Sequence, residues 1–281
     1  MLLFHRIICT LKLYLINYYD QPTYFMSQII YIFGNNGDLS ILEFFILCFS
    51  SFLTSVITAS FGLGGGVLLI IIMVSIMNPL VIIPIHGIIQ ISSNSSRAIM
   101  LRKNIDYTYL PSFMIGSLFG VGIAAIILID LPKHLIQSAI GIFIVYSIYA
   151  PQFKNIKITN LKIGLVGVIS SFLTMFVGSS GPIIVPFIRS YLKDRKSTVA
   201  TQAAFMTWKH GIKIVTFLFL GFSFTEYIPL IFGMILFGIV GTWVGKTILT
   251  KLPEKLFGRI FNIILTILAS RLIFEGLRQI I

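Results

Sequence analysis

The sequence predicts an all-α polytopic membrane protein of two inverted repeats, each a broken, re-entrant helical hairpin followed by three transmembrane helices. Three observations predict it. Of 281 residues, 57% are hydrophobic and only 11% are charged, more apolar surface than a soluble fold of this size can hide. Short motifs recur in the same order in the two halves. The basic residues between apolar stretches fall in a pattern that an inversion explains. At about 20 residues per crossing there is room for roughly six to nine spanning helices, which excludes a soluble enzyme and a single-span receptor. The net charge of +12 then points first to cytoplasmic loops beside anionic lipid, not to nucleic acid.

In chain order, residues 1–40 mix aromatics, isoleucine and polar groups, with room for one weak extra span around Ile7–Tyr19 or Tyr24–Phe33. The small-residue cleavage pattern of a signal peptide is missing, and Met26 offers an alternative start. The first repeat, residues 41–153, holds the apolar stretches Ile41–Met77, Val81–Leu101, Tyr107–Ile129 and Leu135–Tyr149. The second, residues 154–281, holds Leu161–Ile188, Val199–Leu220, Tyr227–Leu249 and Leu256–Leu277. Cys9 and Cys48 each lie in an apolar stretch and offer neither a metal site nor a disulfide framework.

Three matches carry the duplication. Gly64-Gly65-Gly66-Val67-Leu68-Leu69-Ile70 is answered by Ser179-Ser180-Gly181-Pro182-Ile183-Ile184-Val185, and Tyr109-Leu110-Pro111 by Tyr227-Ile228-Pro229. Leu131-Pro132-Lys133-His134-Leu135 is answered by Leu252-Pro253-Glu254-Lys255-Leu256. The offset drifts only from about 115 to 121 residues, as one duplication with a few insertions would leave it.

Equivalent loops carry opposite charge. After the glycine segment, Met77-Asn78-Pro79 is uncharged and the next loop has Arg97, Arg102 and Lys103. After the Ser-Ser-Gly-Pro segment come Arg189, Lys193, Arg195 and Lys196, while the next loop, Ser223-Phe224-Thr225-Glu226, has no cation. The positive-inside rule therefore inverts one half against the other. Inversion needs an odd number of crossings per half, so one apolar segment must return to the side it entered from. Ile41–Met77, too long for one span and interrupted at Gly62-Leu63-Gly64-Gly65-Gly66, is that segment, and Leu161–Ile188 is its counterpart.

A break followed by an apolar run puts a helix N-terminus inside the membrane, with free N–H groups and a positive dipole end that favour an anion. Gly64, Gly65, Gly66 and Val67 open one such helix. Ser179, Ser180, Gly181 and Pro182 open the other, Pro182 suiting a first helical position. The glycines also suit close helix packing, the plainer reading. Lys209 lies 13 residues beyond Lys196, near mid-depth at about 1.5 Å per residue; Lys213 lies in the outer part of the span, and His210 between them. No acid is local to this stretch, so an anionic ligand would offset a cost of roughly 2.5–3.5 kcal/mol per lysine. Snorkelling to an interface fits Lys213 better than Lys209. In the first half His86, Gln90, Asn94 and Arg97 fall on one helix face; Gln202, Thr207 and Trp208 belong to the corresponding helix. The two histidines are also candidates to carry protons. Arg271 and Glu275, at i and i+4, neutralise each other.

The stretch Gly62-Leu63-Gly64-Gly65-Gly66-Val67-Leu68-Leu69, its echo Gly181-Pro182-Ile183-Ile184-Val185-Pro186, and His86-Gly87-Ile88-Ile89-Gln90 through Asn94-Ser95-Ser96-Arg97 resemble the sulfite exporter TauE/SafE family. The likeness covers about residues 40–281. It implies a duplicated transporter of sulfite or other sulfur-containing or organosulfonate anions, with both glycine-type segments lining the pathway. Ser179-Ser180-Gly181 departs from the second glycine triplet of many relatives and adds hydroxyl donors. The expectation is a multi-pass inner-membrane secondary transporter, an exporter of a small anion by alternating access. It would use no cofactor or metal, bind membrane lipid but no nucleic acid, and leave homo-oligomerisation open. An anion channel or a non-transporting membrane subunit is the alternative.

Overall fold

The computed structural model describes residues 39–128, 139–143, 145–146, 157–192 and 194–249. The chain divides into two units after Phe45, and the first contributes only residues 39–45 to the described set. There Ser40 and Glu43 form a capping box: the Ser40 amide donates to Glu43 Oε2 at 2.8 Å and the Glu43 amide to Ser40 Oγ at 3.2 Å, which starts the first helix.

All regular elements among the described residues are helical. They are α1 (Ile41–Phe61), α2 (Gly65–Val74), α3 (Pro79–Met100), a 3-10 turn (Arg102–Asn104), α4 (Leu110–Leu128), α5 (Asn160–Val177), α6 (Gly181–Tyr191), α7 (Arg195–Phe219), a 3-10 turn (Thr225–Tyr227) and α8 (Ile228–Ile248). The same order appears twice: long helix, break, short helix, polar-striped long helix, one 3-10 turn, apolar long helix. The Tyr-x-Pro motifs begin α4 and α8, where proline suits the first turn. The weak spans proposed before residue 39, the motifs at 131–135 and 252–256, the Arg271–Glu275 pair and the span Leu256–Leu277 lie outside the described residues. Of Leu135–Tyr149, residues 139–143 and 145–146 are described, and they are helical.

Among the described residues four helices are long and apolar enough to cross a membrane: Ile41–Phe61, Leu110–Ile127, Asn160–Val177 and Thr225–Ile248. Away from their ends, the exposed residues of these helices are apolar or glycine, including Phe49, Ile126, Ile169 and Trp243. With 22 and 25 residues, α3 and α7 are also of spanning length, and His86, Gln90, Asn94 and Arg97 on the one and Gln202, Lys209, His210 and Lys213 on the other are buried. In each break the two arms are unequal. The leading arm has 21 or 18 residues, the returning arm 10 or 11, which is about half a bilayer at 1.5 Å per residue.

Helices α3 and α7 run antiparallel through the centre: Leu101 meets Val199 and Ala200 at one end, and Gly87 faces Lys213 further along. Around them α4 of the first half packs on α5 of the second, and α8 of the second on α1 of the first. Gly116 and Gly120 of α4 lie against the backbone of Gly164 and Val168 in α5, and Gly241 and Gly245 of α8 against that of Phe52 and Val56 in α1. Ser51 Oγ donates to the Met234 carbonyl at 2.7 Å and Ser60 Oγ to the Gly245 carbonyl at 3.1 Å, so α1 and α8 run parallel, as α4 and α5 do. Two lipid-exposed helices have no hydrophobic drive to associate, so such backbone-to-backbone contact through small residues carries the packing.

The second break is a hairpin. Tyr109 touches both of its ends, its hydroxyl bonding the Ile158 carbonyl at 3.4 Å before α5 and its ring lying 5.1 Å from that of Tyr191 at the end of α6. Gly120→Leu is expected to force α4 off α5 and destabilise the protein by at least about 1–3 kcal/mol. Gly122→Leu, where an added Cβ meets nothing within 4 Å, is expected to be neutral. Thermal unfolding of the two purified variants in detergent separates these outcomes.

Candidate functional site

Each leading helix ends on a glycine in a conformation other residues avoid. Gly62 has φ 81° and Gly178 φ 74°, a left-handed turn that lets the chain reverse inside the protein. Gly64, with φ 96°, then begins α2, and Ser180 begins α6. Neither start has a side-chain cap. By contrast Asn78, Thr159 and Asp194 cap α3, α5 and α7 by accepting from the amides of Leu80, Lys162 and Ser197. The Ser197 amide also holds the Asp194 carboxyl below its ordinary range. Helix α8 likewise lacks a side-chain cap, but a 3-10 turn leads into it. The two uncapped half-helices therefore start inside the bundle with first-turn N–H groups that their own helices leave unpaired.

The two breaks meet. A Cβ on Gly66 would stand 3.3 Å from both Ser179 Oγ and Gln90 Nε2, so the starts of α2 and α6 face each other across a methyl-sized gap. His86 Nε2 donates to the Gly66 carbonyl at 2.9 Å, and the His86 ring lies 6.1 Å from that of His210. From α7, Lys209 Nζ donates to Ser180 Oγ and Lys213 Nζ to the Gly178 carbonyl at 3.2 Å. Ser180 also accepts from Thr174 Oγ1 at 2.9 Å. His86, Gln90, Ser179, Ser180, Lys209, His210 and Lys213 are all buried, both lysines at 0% exposure.

The two lysines sit in opposite fields. Lys213 reaches the carbonyl that closes α5, at the negative end of that helix, where a cation is welcome. Lys209 stands on the N-cap of α6, at the positive end of a helix, where a cation is repelled. Among the described residues no carboxylate makes an ion pair with either. An ammonium, a hydroxyl and first-turn amide groups lie around one point, a donor-rich arrangement of the kind that suits an oxyanion.

Of the residues singled out from the sequence, Gly66, His86, Gln90, Ser179, Ser180, Lys209, His210 and Lys213 thus come together. Gly64, Gly65 and Gly181 supply the turns and first-turn backbone beside them. Val67 and Pro182 are buried in the starting turns, Pro182 without an N–H to offer. Asn94 bonds along its own helix, donating to the Gln90 carbonyl at 2.7 Å and Gln90 Oε1 at 3.2 Å. Sequence reasoning missed Gly178, whose signal was a lone glycine ending an apolar helix just before the Ser-Ser break. It also left Gln202 out of the site. An added Cβ at Gly62 would lie 3.4 Å from Gln202 Oε1, and one at Gly178 3.6 Å from His86 Nδ1, so a polar side chain from the central helix of the other half lies beside each break.

A family model described as sulfite exporter TauE/SafE matches residues 47–272, a span that contains both breaks and both central helices. No curated protein and no solved structure matches the chain. A lone buried ammonium at a helix N-terminus costs stability when no anion is bound. Lys209→Met is therefore expected to raise the melting temperature in anion-free detergent buffer by a few degrees, at roughly 2–4 °C per kcal/mol for a domain of this size. Ser180 keeps Thr174 as its partner in that variant. An unchanged or lower melting temperature would count against a frustrated charge at this position.

Proposed function

The chain belongs to the sulfite exporter TauE/SafE family, and we propose that it is a secondary transporter that exports a small oxyanion, such as sulfite or an organosulfonate, across a bacterial-type inner membrane. The observation that carries this reading is Lys209: a fully buried ammonium held against the positive end of a half-helix, with no carboxylate beside it among the described residues. A bound anion would neutralise Lys209, complete the first turns of α2 and α6, and take hydrogen bonds from Ser179 and Ser180. Lys213 would add charge from behind Gly178. His86, Gln90 and His210 would line the other side, with the histidines placed to exchange protons. The plainer reading of the lysine, snorkelling to an interface, fits poorly with 0% exposure.

Alternating access between two inverted halves is the mechanism that suits this arrangement. Support comes from one end of the bundle. The C-terminal ends of α1, α3, α6 and α8 and the starts of α4, α5 and α7 all gather there, together with Arg97, Arg102, Lys103, Lys157, Lys162, Arg189, Arg195, Lys196 and Lys246. Asn78, which starts α3, lies at the opposite end. On this reading the basic end faces the cytoplasm, and the opposite directions of α1 and α5, and of α3 and α7, support an inversion of repeat 41–153 against repeat 154–281.

Lys209→Gln is expected to abolish sulfite flux into proteoliposomes while leaving membrane insertion and gel-filtration behaviour unchanged; wild-type flux in the variant would remove the central site. Saturation at low substrate and dependence on a pH gradient distinguish a carrier from a channel, across a panel of sulfite, thiosulfate, sulfate and taurine-like sulfonates. For the topology, single cysteines at Asn78 and Ser190 in a Cys-less background are expected to react with an impermeant maleimide from opposite faces. Labelling of both from one face defeats the inversion.

A further inference from the structure

The largest fully buried side chain among the described residues belongs to neither lysine but to Arg97, on the last full turn of α3. Its Nη2 donates to Asn94 Oδ1 at 2.5 Å. Its Nε and Nη1 are buried with no partner, and among the described residues no carboxylate pairs with it. A guanidinium has two donor edges that share Nη2. Whichever edge Asn94 uses, the other keeps two donors free, the geometry that grips an oxyanion through two oxygens.

Position gives that free edge a meaning. From Arg97 a hydrogen-bonded chain runs through Asn94 to Gln90, whose amide stands at Gly66 in the central site. Seven residues separate Arg97 from Gln90, about 10 Å along α3, toward the basic end of the bundle. Beyond Arg97 on that side, Leu101, Val199, Ala200 and Leu249 form a buried apolar cluster with Ile105 packed against it. The same Val199 closes on the Gly62 turn. Arg97 and Lys213 are 116 residues apart, inside the offset of the repeat motifs, so each half contributes one buried cation at the equivalent place on its central helix.

We propose that Arg97 is the anchor of a second oxyanion site, about two turns to the cytoplasmic side of Lys209, and that Leu101, Val199 and Leu249 form the plug an anion passes to reach it. The inference rests on the transport reading for the identity of the ligand, not for the existence of the site. An anion held there is handed along Asn94 and Gln90 to the Ser179–Ser180 cradle, so the two sites fill and empty in sequence.

Equilibrium dialysis of the full chain in lipid-free maltoside micelles with radiolabelled sulfite tests it. Two sulfites per wild-type chain, one in Arg97→Gln, one in Lys209→Gln and none in the double variant support the proposal, together with a fall of about tenfold or more in flux for Arg97→Gln. Arg97→Lys, which keeps the charge but not the fork, is expected to fold where Arg97→Gln fails and to retain a weakened second site. Unchanged binding and flux in Arg97→Gln, with binding lost in Lys209→Gln, overturns the second site and leaves the central one standing. Binding lost only in the Arg97 variants supports the second site and removes the central one. A wild-type chain that binds none of the anion panel overturns both. Phospholipid that co-purifies with the wild type and is lost in Arg97→Gln shows a lipid phosphate in the fork and likewise overturns the proposal.

Discussion

Everything in this bundle is arranged around positive charge held out of water without a carboxylate to meet it. Lys209, Lys213 and Arg97 are buried on the two central helices, and at membrane depth each such charge costs roughly 2.5–3.5 kcal/mol even on lenient scales. Soluble proteins answer a buried cation with an acid. Here the partners are a serine hydroxyl, a backbone carbonyl and an asparagine, groups that satisfy some protons and neutralise nothing. On the proposed reading, a ligand that carries the missing sign offsets that imbalance.

That imbalance dictates the rest of the architecture. Free amides can sit at membrane depth only where protein, not lipid, surrounds them. Both breaks are therefore enclosed by α3 and α7 and shielded by paired outer helices. The shielding pairs exchange partners between halves, α4 on α5 and α1 on α8, with glycines bringing backbones into contact. Each break also lies beside a polar side chain of the opposite half, Gly62 beside Gln202 and Gly178 beside His86. Each half therefore places a polar group of its central helix at the turn of the other.

Much of this was legible in the sequence, for identifiable reasons. The breaks announced themselves because glycine clusters and Ser-Ser-Gly-Pro interrupt apolar runs too long for one crossing, and Lys209 because charge is rare where the neighbours are apolar. The stripe His86, Gln90, Asn94, Arg97 was visible from helical spacing alone. Periodicity could not say which members of the stripe reach the break and which bond along their own helix. His86 and Gln90 do the first; Asn94 and Arg97 do the second, a difference fixed by where α3 crosses α7. The backbone partners were invisible for a deeper reason: the Gly66 and Gly178 carbonyls are chosen by the turn, and no residue type encodes them.

The same geometry constrains how such a protein can move. A ligand shifts a conformational equilibrium only by binding one state better than the other. The basic end of the bundle is closed by interactions that do not involve the central site. Arg195 Nη2 donates to the Ser60 carbonyl at 2.6 Å and its guanidinium lies 5.5 Å from the Phe61 ring, joining α7 to the end of α1, while Leu101, Val199 and Leu249 fill the space beside them. Ser60 and Phe61 are the last residues before Gly62, so this closure and the first break share one short segment. A rearrangement that draws Ser60 away from Arg195 by turning the chain at Gly62 would also move the amides of α2 that face Ser179. On the transport reading, an anion that pulls those amides toward Lys209 acts on the turn at residues 62–64, the short segment that joins the first break to the contact at the basic end.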